Sequence, residues 1–78
     1  MSIWPQDIED AARAIVADFG TKNLLIATAE SCTAGLIAGA ITEIAGSSTV
    51  FDRGFVTYSN EAKREMIGVA NATLKAHG

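Results

Sequence analysis

The stretch that most constrains the fold of this chain runs from Leu24 to Gly35 and reads LLIATAESCTAG. Its first residues, Leu24 to Ala27, form a short apolar run that is typical of a buried strand in a parallel sheet. Polar and small residues follow at once, and helical spacing resumes from Leu36 to Ile44. A strand that ends in a polar turn before a helix leaves backbone N–H groups for an anion or an oxyanion. We therefore take this turn as the centre of function.

The spacing of apolar residues predicts the remaining elements in the order helix, strand, helix, strand, helix. In chain order we expect a helix from about Gln6 to Phe19 closed by Gly20, a strand over Leu24–Thr28, a helix from Cys32 or Thr33 to about Ile44, and a strand over Thr49–Tyr58 with a bulge or a hairpin-like bend at Gly54. A helix from about Glu61 to Met66 or Ile67 follows, with Ser59 or Asn60 as its N-cap and Gly68 at its end, and a short further helix is expected over Asn71–His77. This order favours a layered α/β/α sandwich with at least partly parallel strands. Because two strands do not make a stable sheet alone, we expect other strands to complete it.

Composition limits the classes of function. The 78 residues are enough for one small domain, and they are 49% hydrophobic but only 19% charged. So apolar a chain is expected to hide surface against a partner or within a larger domain, and we predict a homo-oligomer. The net charge is −3 and the six basic residues are scattered, which argues against binding to nucleic acid.

Cysteine usage and hydropathy narrow the expected location. The one cysteine, Cys32, excludes an internal disulfide and a zinc site built from cysteines, and no spacing of ligands predicts another metal site. No stretch approaches about 20 consecutive apolar residues, so no membrane span is predicted. The acidic start of the chain, MSIWPQDIED, lacks the features of a signal peptide. A cytoplasmic location is the simplest expectation.

A lysine and several hydroxyl groups are candidates for nucleophilic catalysis. Lys63 follows Tyr58 by five positions, and a lysine of lowered pKa can serve as the general base for a serine. Tyr58, at the end of a strand, is placed to shuttle a proton or to orient substrate. The alternative is that Lys63 is a solvated helix lysine and Tyr58 a rim aromatic. Ser47 and Ser48 follow Gly46 in a turn, which is by itself a weak signal.

The turn after the first strand carries further candidates. Ser31 and Thr33 are expected to include the cap of the second helix, and Glu30 is a candidate ligand for a ribose hydroxyl or a cation. Cys32 is a candidate nucleophile at a helix N-terminus. The lone histidine, His77, is one residue from the end of the chain, so a small buried thiol is the favoured interpretation of Cys32.

Taken together, these motifs resemble those of the CinA C-terminal domain family, the bacterial nicotinamide mononucleotide deamidases. The resemblance is carried by Glu30-Ser31-Cys32-Thr33 with Gly35, Gly46-Ser47-Ser48 with Phe51, Val56-Thr57-Tyr58-Ser59-Asn60 with Lys63, Gly68-Val69 and His77-Gly78. Three linked motifs in order are far more specific than any one of them. Two positions depart from the family pattern, because Ala34 and Arg53 stand where glycine is usual.

The resemblance implies an amidohydrolase that converts nicotinamide mononucleotide and water to nicotinic acid mononucleotide and ammonia, without a metal or a cofactor. It implies that Lys63 is the base, that Ser48 is the first choice of nucleophile and Ser31 the second, and that Tyr58 assists proton transfer or orients Lys63. Backbone N–H groups at Ser48 or at the start of the second helix are candidate oxyanion donors. Expected substrate-binding residues are Glu30, Cys32, Thr33, Gly35, Ser47 and Asn60, with Thr33 and the helix start holding the phosphate.

The resemblance also bears on domain organisation. Domains of the family are about twice as long, so residues 1–78 are expected to be the N-terminal half of such a domain, with its second half absent. Two other hypotheses stay open at this point. One is a catalytically incomplete module for nucleotide binding or oligomerisation, and the other is a purely structural α/β fragment that binds no ligand.

Overall fold

Helices alternate with the strands of a small parallel sheet in the computed structural model, which describes residues 3–78. The elements are α1 (Gln6–Thr21), β1 (Ile26–Glu30), α2 (Leu36–Thr42), a short 3₁₀ turn (Ser47–Thr49), β2 (Phe51–Val56), α3 (Asn60–Ile67) and α4 (Asn71–His77). The predicted α/β class, the order of the elements and the parallel pairing of the two strands are confirmed.

The sheet pairs β1 with β2 in parallel, from Ile26 opposite Phe51 to Glu30 opposite Val56. The register shifts once, because the step from Ile26 to Ala27 is matched by two residues of β2, and Asp52 is the extra one. The prediction of a bulge at Gly54 is therefore wrong. Gly54 pairs regularly with Thr28, and a Cβ atom there would lie 2.7 Å from the Thr28 hydroxyl oxygen. The glycine serves close approach between the strands.

Strand β1 begins and ends two residues later than the sequence pattern predicts. Leu24 donates its N–H to the carbonyl of Phe19 at 2.9 Å, so it belongs to the connection that leaves α1. The ladder starts where Ile26 donates to the carbonyl of Val50 at 2.6 Å. Pairing with β2, rather than the apolar run itself, decides the limits of this strand.

Helix α1 continues past the predicted stop at Gly20. Gly20 lies inside the helix, and the last turn is closed by Lys22, whose N–H bonds to the carbonyl of Asp18 at 3.1 Å. The left-handed conformation expected of a glycine after the helix is taken by Asn23, with a φ of 55°. Asparagine is one of the few residues other than glycine that tolerate this conformation.

Helix α2 is shorter than predicted at both ends. It starts at Leu36 rather than at Cys32 or Thr33, because Ala34 and Gly35 both have positive φ angles, 56° and 87°, which a right-handed helix cannot contain. Its regular part ends at Thr42, after which Ile44 bonds to the carbonyl of Ile41 in a tighter turn. Small residues on its surface allow close packing. Gly39, for example, lies against the ring of Trp4, 3.4 Å from where a Cβ atom would stand.

The two C-terminal helices match the sequence prediction closely. Ser59 caps α3 by accepting a hydrogen bond from the N–H of Ala62 at 3.0 Å. Gly68 ends the same helix with a φ of 70°, as a helix-terminating glycine is expected to do. Both signals depend only on neighbouring residues, which explains why the sequence sufficed.

The core lies between α1, α2 and the amino end of β2. Its buried members are Ala12 and Val16 of α1, Ile41 and Ile44 at α2, and Val50, with Phe19, Ile26 and Phe51 packed against them. Beside the core, residues of and near both helices line an open groove of about 350 Å³, formed by Trp4, Ile8, Ala11, Ala12, Ile15, Thr33, Leu36, Ile37, Ala40 and Ile41. Among the helices of residues 3–78, none combines the length and the apolar character needed to cross a bilayer.

Candidate active site

The carboxyl ends of the two parallel strands meet at one edge of the sheet and form a cleft. Glu30, the last residue of β1, pairs with Val56 of β2, and its carbonyl accepts a hydrogen bond from the N–H of Thr57 at 2.8 Å. The cleft has a volume of about 210 Å³ and is lined by Ser31, Cys32, Ala34, Val56, Thr57 and Tyr58. Two motifs that are separated by more than twenty residues in the sequence therefore share one site.

Three predicted site residues lie in this cleft. Ser31 is half-buried and Tyr58 is 87% exposed, so the phenol ring stands in solvent at the rim. Cys32 is also exposed, and the favoured interpretation of a buried thiol is therefore wrong. The physical reason is that Cys32 lies in the turn between β1 and α2, outside the hydrophobic core. The predicted substrate-binding role of Cys32 stays a prediction.

Glu30 carries the best-satisfied polar group at this edge of the sheet. The residue is only 4% exposed. One carboxylate oxygen, Oε1, accepts from the hydroxyl of Thr33 at 2.6 Å and from the N–H of Ile37 at 2.9 Å. The other, Oε2, accepts from the N–H of Ala38 at 3.0 Å. The side chain therefore joins the end of β1 to the turn and to the first turn of α2.

These contacts favour the ionised carboxylate. The hydrogen bond from Thr33 has the largest effect and lowers the pKa of Glu30, while burial acts in the opposite direction. Backbone N–H groups of Ile37, Ala38 and Gly35 lower the pKa further, and the net result lies below the ordinary glutamate value. Glu30 is therefore a charged hydrogen-bond acceptor at neutral pH.

The start of α2 has no N–H group left for a ligand, which corrects two sequence-based expectations. Ser31 and Thr33 do not cap this helix, because Glu30 bonds the N–H groups of Ile37 and Ala38. The neighbouring N–H groups of Leu36 and Gly39 bond to the carbonyls of Thr33 and Gly35. This helix start therefore offers no site for a phosphate or an oxyanion, and the adjacent carboxylate would repel either one.

The turn between β1 and α2 has free N–H groups instead. Within residues 3–78, the N–H groups of Ser31, Cys32, Thr33 and Ala34 donate no hydrogen bond to the protein. Positive φ angles at Ala34 and Gly35 give the turn its tight curvature. Gly35 also packs on Val56, whose Cγ2 atom lies 3.3 Å from where a Cβ atom would stand. Backbone donors of this kind are the usual components of an oxyanion hole.

Ser47 and Ser48 lie at the opposite end of β2. The 3₁₀ turn that holds them precedes the strand, whereas Tyr58 follows it, and a strand of six residues separates its ends by roughly 17 Å. Ser47 is buried and donates its hydroxyl to the carbonyl of Thr42 at 3.2 Å, while Ser48 is exposed. The structure therefore does not bring Ser48 into the cleft that holds Ser31 and Tyr58.

Lys63 and Asn60 lie on α3, which begins two residues after Tyr58. Lys63 is half-buried, and its amino group makes no ion pair or hydrogen bond within the part of the chain that the structure describes. Asn60 lines a different groove, between α3 and α4, together with Arg64, Asn71, Leu74 and Lys75. Helix α3 thus begins at the edge of the sheet where the cleft lies, but Lys63 is not among the residues that line the cleft, and Asn60 lines the other groove.

One cleft residue, Thr57, received no role in the sequence-based interpretation. It is 2% exposed and extends the ladder through its bond to Glu30, and its hydroxyl lies 3.4 Å from the same carbonyl oxygen. The signal was present in the Val56-Thr57-Tyr58 motif, but a threonine at a strand end gives no hint from sequence that it pairs with a glutamate 27 positions earlier.

Comparison with curated proteins finds relatives that carry an enzyme name. The chain is 59% identical over 64 residues to nicotinamide-nucleotide amidohydrolase PncC of Enterobacter agglomerans, covering 82% of this chain and 39% of that protein. It is 66% identical over 57 residues to nicotinamide-nucleotide amidohydrolase PncC of Escherichia coli K12, covering 73% of this chain and 34% of the relative. The chain spans less than half the length of these curated relatives.

Solved structures share the fold over nearly the whole chain. The competence/damage inducible protein CihA of Agrobacterium tumefaciens matches with a TM-score of 0.93 and 64% identity, over 96% of this chain and 46% of that structure. A competence-damaged protein (CinA) superfamily protein of Escherichia coli matches with a TM-score of 0.86 and 28% identity, over 97% and 45% of the two chains. The family model of the CinA C-terminal domain matches residues 8–78. The chain therefore belongs to the CinA C-terminal domain family.

Proposed function

We propose that this chain forms part of an amidohydrolase that converts nicotinamide mononucleotide and water to nicotinic acid mononucleotide and ammonia. The observation that carries the proposal is the cleft at the carboxyl edge of the sheet, where Ser31 and Tyr58 line one cavity beside free backbone N–H groups. The name of the relatives, nicotinamide-nucleotide amidohydrolase, supports the substrate class. The proposal includes a role in pyridine nucleotide recycling, a cytoplasmic location and a homo-oligomer.

The proposed reaction uses a serine and a lysine. Lys63, as a free amine, accepts the proton of the serine hydroxyl while the oxygen attacks the amide carbon of the substrate. The tetrahedral oxyanion is stabilised by backbone N–H groups of the turn after β1. The amide nitrogen of the substrate takes up this proton from Lys63 and leaves as ammonia, and water then hydrolyses the resulting ester to the carboxylate and the free serine. Tyr58 orients Lys63 or relays the proton.

The cleft favours Ser31 as the nucleophile over Ser48, which reverses the order of preference from the sequence. Ser31 is half-buried in the cleft, and its neighbours in the turn supply free N–H donors. Ser48 remains the alternative. Thr33, Cys32, Gly35, Ser47 and Asn60 stay predicted substrate-binding residues, although the hydroxyls of Thr33 and Ser47 already donate hydrogen bonds to the protein. For Glu30, the predicted binding role competes with a structural one, because both carboxylate oxygens already accept hydrogen bonds. That residues 1–78 are the first half of the catalytic domain also stays a prediction.

Substitution of Lys63 tests the mechanism. In the full product of the gene, Lys63→Ala is expected to lower kcat for ammonia release from nicotinamide mononucleotide by about 10²- to 10⁴-fold, since a general base is removed. Lys75→Ala, at an exposed lysine of α4, is the matched control and should leave turnover unchanged. Full turnover by Lys63→Ala would contradict the serine–lysine mechanism. Binding of the nucleotide by the unaltered protein without any ammonia release would instead favour a nucleotide-binding module.

A further inference from the structure

We infer that Glu30 is a positioning residue that holds both walls of the cleft in place and does not itself contact the substrate. The expected effect of Glu30 on ammonia release rests on the proposed function, whereas its positioning of the two walls of the cleft does not. It differs from the sequence-based expectation, in which Glu30 binds a ribose hydroxyl or a cation. The evidence is the set of bonds that its side chain and its main chain make on opposite sides of the cleft.

The side chain of Glu30 holds the first wall, which is the turn that carries Ser31. Its carboxylate bonds the Thr33 hydroxyl in that turn and the N–H groups of Ile37 and Ala38 in the helix beyond it. The turn is therefore anchored at a point in its middle as well as at its two ends. A turn with two successive positive φ angles and several unbonded N–H groups has few other contacts to define its shape.

The main chain of Glu30 holds the second wall, which leads to Tyr58. The carbonyl of Glu30 accepts the N–H of Thr57 at 2.8 Å, after the regular part of β2 has ended at Val56. Thr57 is itself buried and directly precedes Tyr58. One residue therefore connects directly to both segments that line the cleft, and a shift of Glu30 would move Ser31 and Tyr58 together.

Both oxygens of the Glu30 carboxylate already accept hydrogen bonds from the protein. It is buried, both oxygens are occupied, and the groups that contact it are an uncharged hydroxyl and uncharged N–H groups. A buried carboxylate with these donors is stable as an anion without a bound cation. Three hydrogen bonds from the turn and from α2 hold this buried carboxylate inside the protein, which argues for a positioning role.

Glu30→Gln tests this inference, because glutamine keeps the shape but can accept hydrogen bonds through only one of its two terminal atoms. In the full product of the gene, Glu30→Gln is expected to lower kcat for ammonia release about 10- to 100-fold with KM changed less than about threefold, since misplacement of reacting groups by about 1 Å costs this much. Glu43→Gln, at an exposed carboxylate after the other end of α2, is the matched control and should change neither constant. A raised KM with unchanged kcat would overturn the inference and make Glu30 a substrate ligand.

A second measurement does not depend on activity. In the full product of the gene, amide hydrogen exchange at Ile37 and Ala38 is expected to be at least about tenfold faster in Glu30→Gln than in the unaltered protein, and the NMR signals of Ser31 and Tyr58 are expected to shift together. Unchanged exchange would overturn the inference. If the unaltered protein releases no ammonia, the proposed function fails while exchange still decides the positioning role. If Glu30→Gln does not fold, Thr33→Val replaces it, because this variant removes the hydroxyl that is one of the three donors to the Glu30 carboxylate. Exchange at Ile37 should be faster in Thr33→Val as well.

The pH dependence of stability is a third readout. Because the folded chain lowers the pKa of Glu30, the stabilisation from its carboxylate is complete above the ordinary glutamate pKa and is lost as pH falls through the lowered value. The difference in Tm between the unaltered chain and Glu30→Gln should therefore be largest near neutral pH and shrink in acid. A difference that is constant with pH would contradict an ionised Glu30 as the anchor.

Discussion

Two turns that contain serine lie at opposite ends of the sheet, and they differ in what their polar groups do. At the amino end of β2, Ser47 is buried with its hydroxyl bonded to Thr42. At the carboxyl end, Ser31 lines an open cleft and its N–H group is free among the described residues. The first turn is packed into the protein beside the hydrophobic core. The second, within the part of the chain that the structure describes, leaves the hydroxyl of Ser31 and several N–H groups free to bind a ligand.

The difference teaches where a reactive hydroxyl can be supported in this fold. The amino-end turn follows α2 directly and continues into the buried Val50, so its residues are used to pack the protein. The carboxyl-end turn follows the end of β1, and the buried Glu30 makes the hydrogen bonds that hold it to α2. The serine hydroxyl and the N–H groups of the turn are therefore not needed for this structural role. The carboxyl ends of parallel strands are the usual location of ligand sites for the same reason.

The largest expected effect separates the two serines by activity. Ser31→Ala should lower ammonia release from nicotinamide mononucleotide by on the order of 10³-fold or more in the full product of the gene, because it removes the proposed nucleophile. Ser48→Ala should keep kcat within about threefold of the unaltered protein, on the same scale. The measurement is steady-state ammonia release under saturating substrate. Loss of turnover in Ser48→Ala together with retained turnover in Ser31→Ala would show that Ser48, and not Ser31, is the nucleophile.

The next effect compares backbone strain in the two turns. Gly46 has a φ of 86° and no atom within 4 Å of where a Cβ atom would stand, so Gly46→Ala should cost about 1–2 kcal/mol through backbone strain alone. Ala34 has a φ of 56°, which is a strained conformation for alanine but not for glycine. Ala34→Gly should therefore raise the free energy of unfolding by up to about 1 kcal/mol. Urea unfolding of the two variants measures both. Destabilisation by Ala34→Gly would show that the methyl group of Ala34 has a packing role in the cleft.

The smallest effect measures the structural use of the amino-end hydroxyl. Ser47→Ala removes a buried hydrogen bond to Thr42 and should lower the free energy of unfolding by about 1 kcal/mol, or Tm by about 4–8 °C for a chain of this size. Ser48→Ala, at the exposed neighbour, is the control and should leave Tm unchanged. Thermal unfolding followed by circular dichroism gives both values. Equal Tm values for the two variants would remove the distinction between a structural and a free hydroxyl in this turn.

Local signals in the sequence predicted the helices near the C-terminus well and the elements around the cleft less accurately. Ser59 and Gly68 delimit α3 as predicted, because a cap and a left-handed glycine act within one turn of chain. The same kind of signal failed at Gly20, where α1 runs through the glycine and Asn23 makes the turn. The start of the strand at Ile26 depends on Val50, which lies 24 positions later. Short-range patterns cannot report such a contact.

The candidate site shows the same division. The motif resemblance placed Ser48, Ser31, Tyr58 and Lys63 in one functional group, and of these four the structure finds Ser31 and Tyr58 in the lining of the cleft. The anchoring by Glu30 could not be anticipated, because its donors lie seven and eight residues away along a turn whose conformation depends on two positive φ angles. The sequence alone favoured a capping serine or threonine, since these residue types commonly cap helices.

The sequence by itself determined the α/β class, the family and the identity of the chemical groups available, because apolar periodicity and linked motifs are properties of neighbouring residues. Only the tertiary structure decided which hydroxyl groups are occupied and which are free. The pairing of Glu30 with Val56 brings Ser31 next to Thr57 and Tyr58, and the same strand carries Ser48 away from them. Hydrogen bonds between distant residues determine which polar groups are occupied, because a buried polar group requires a partner that the local sequence does not specify.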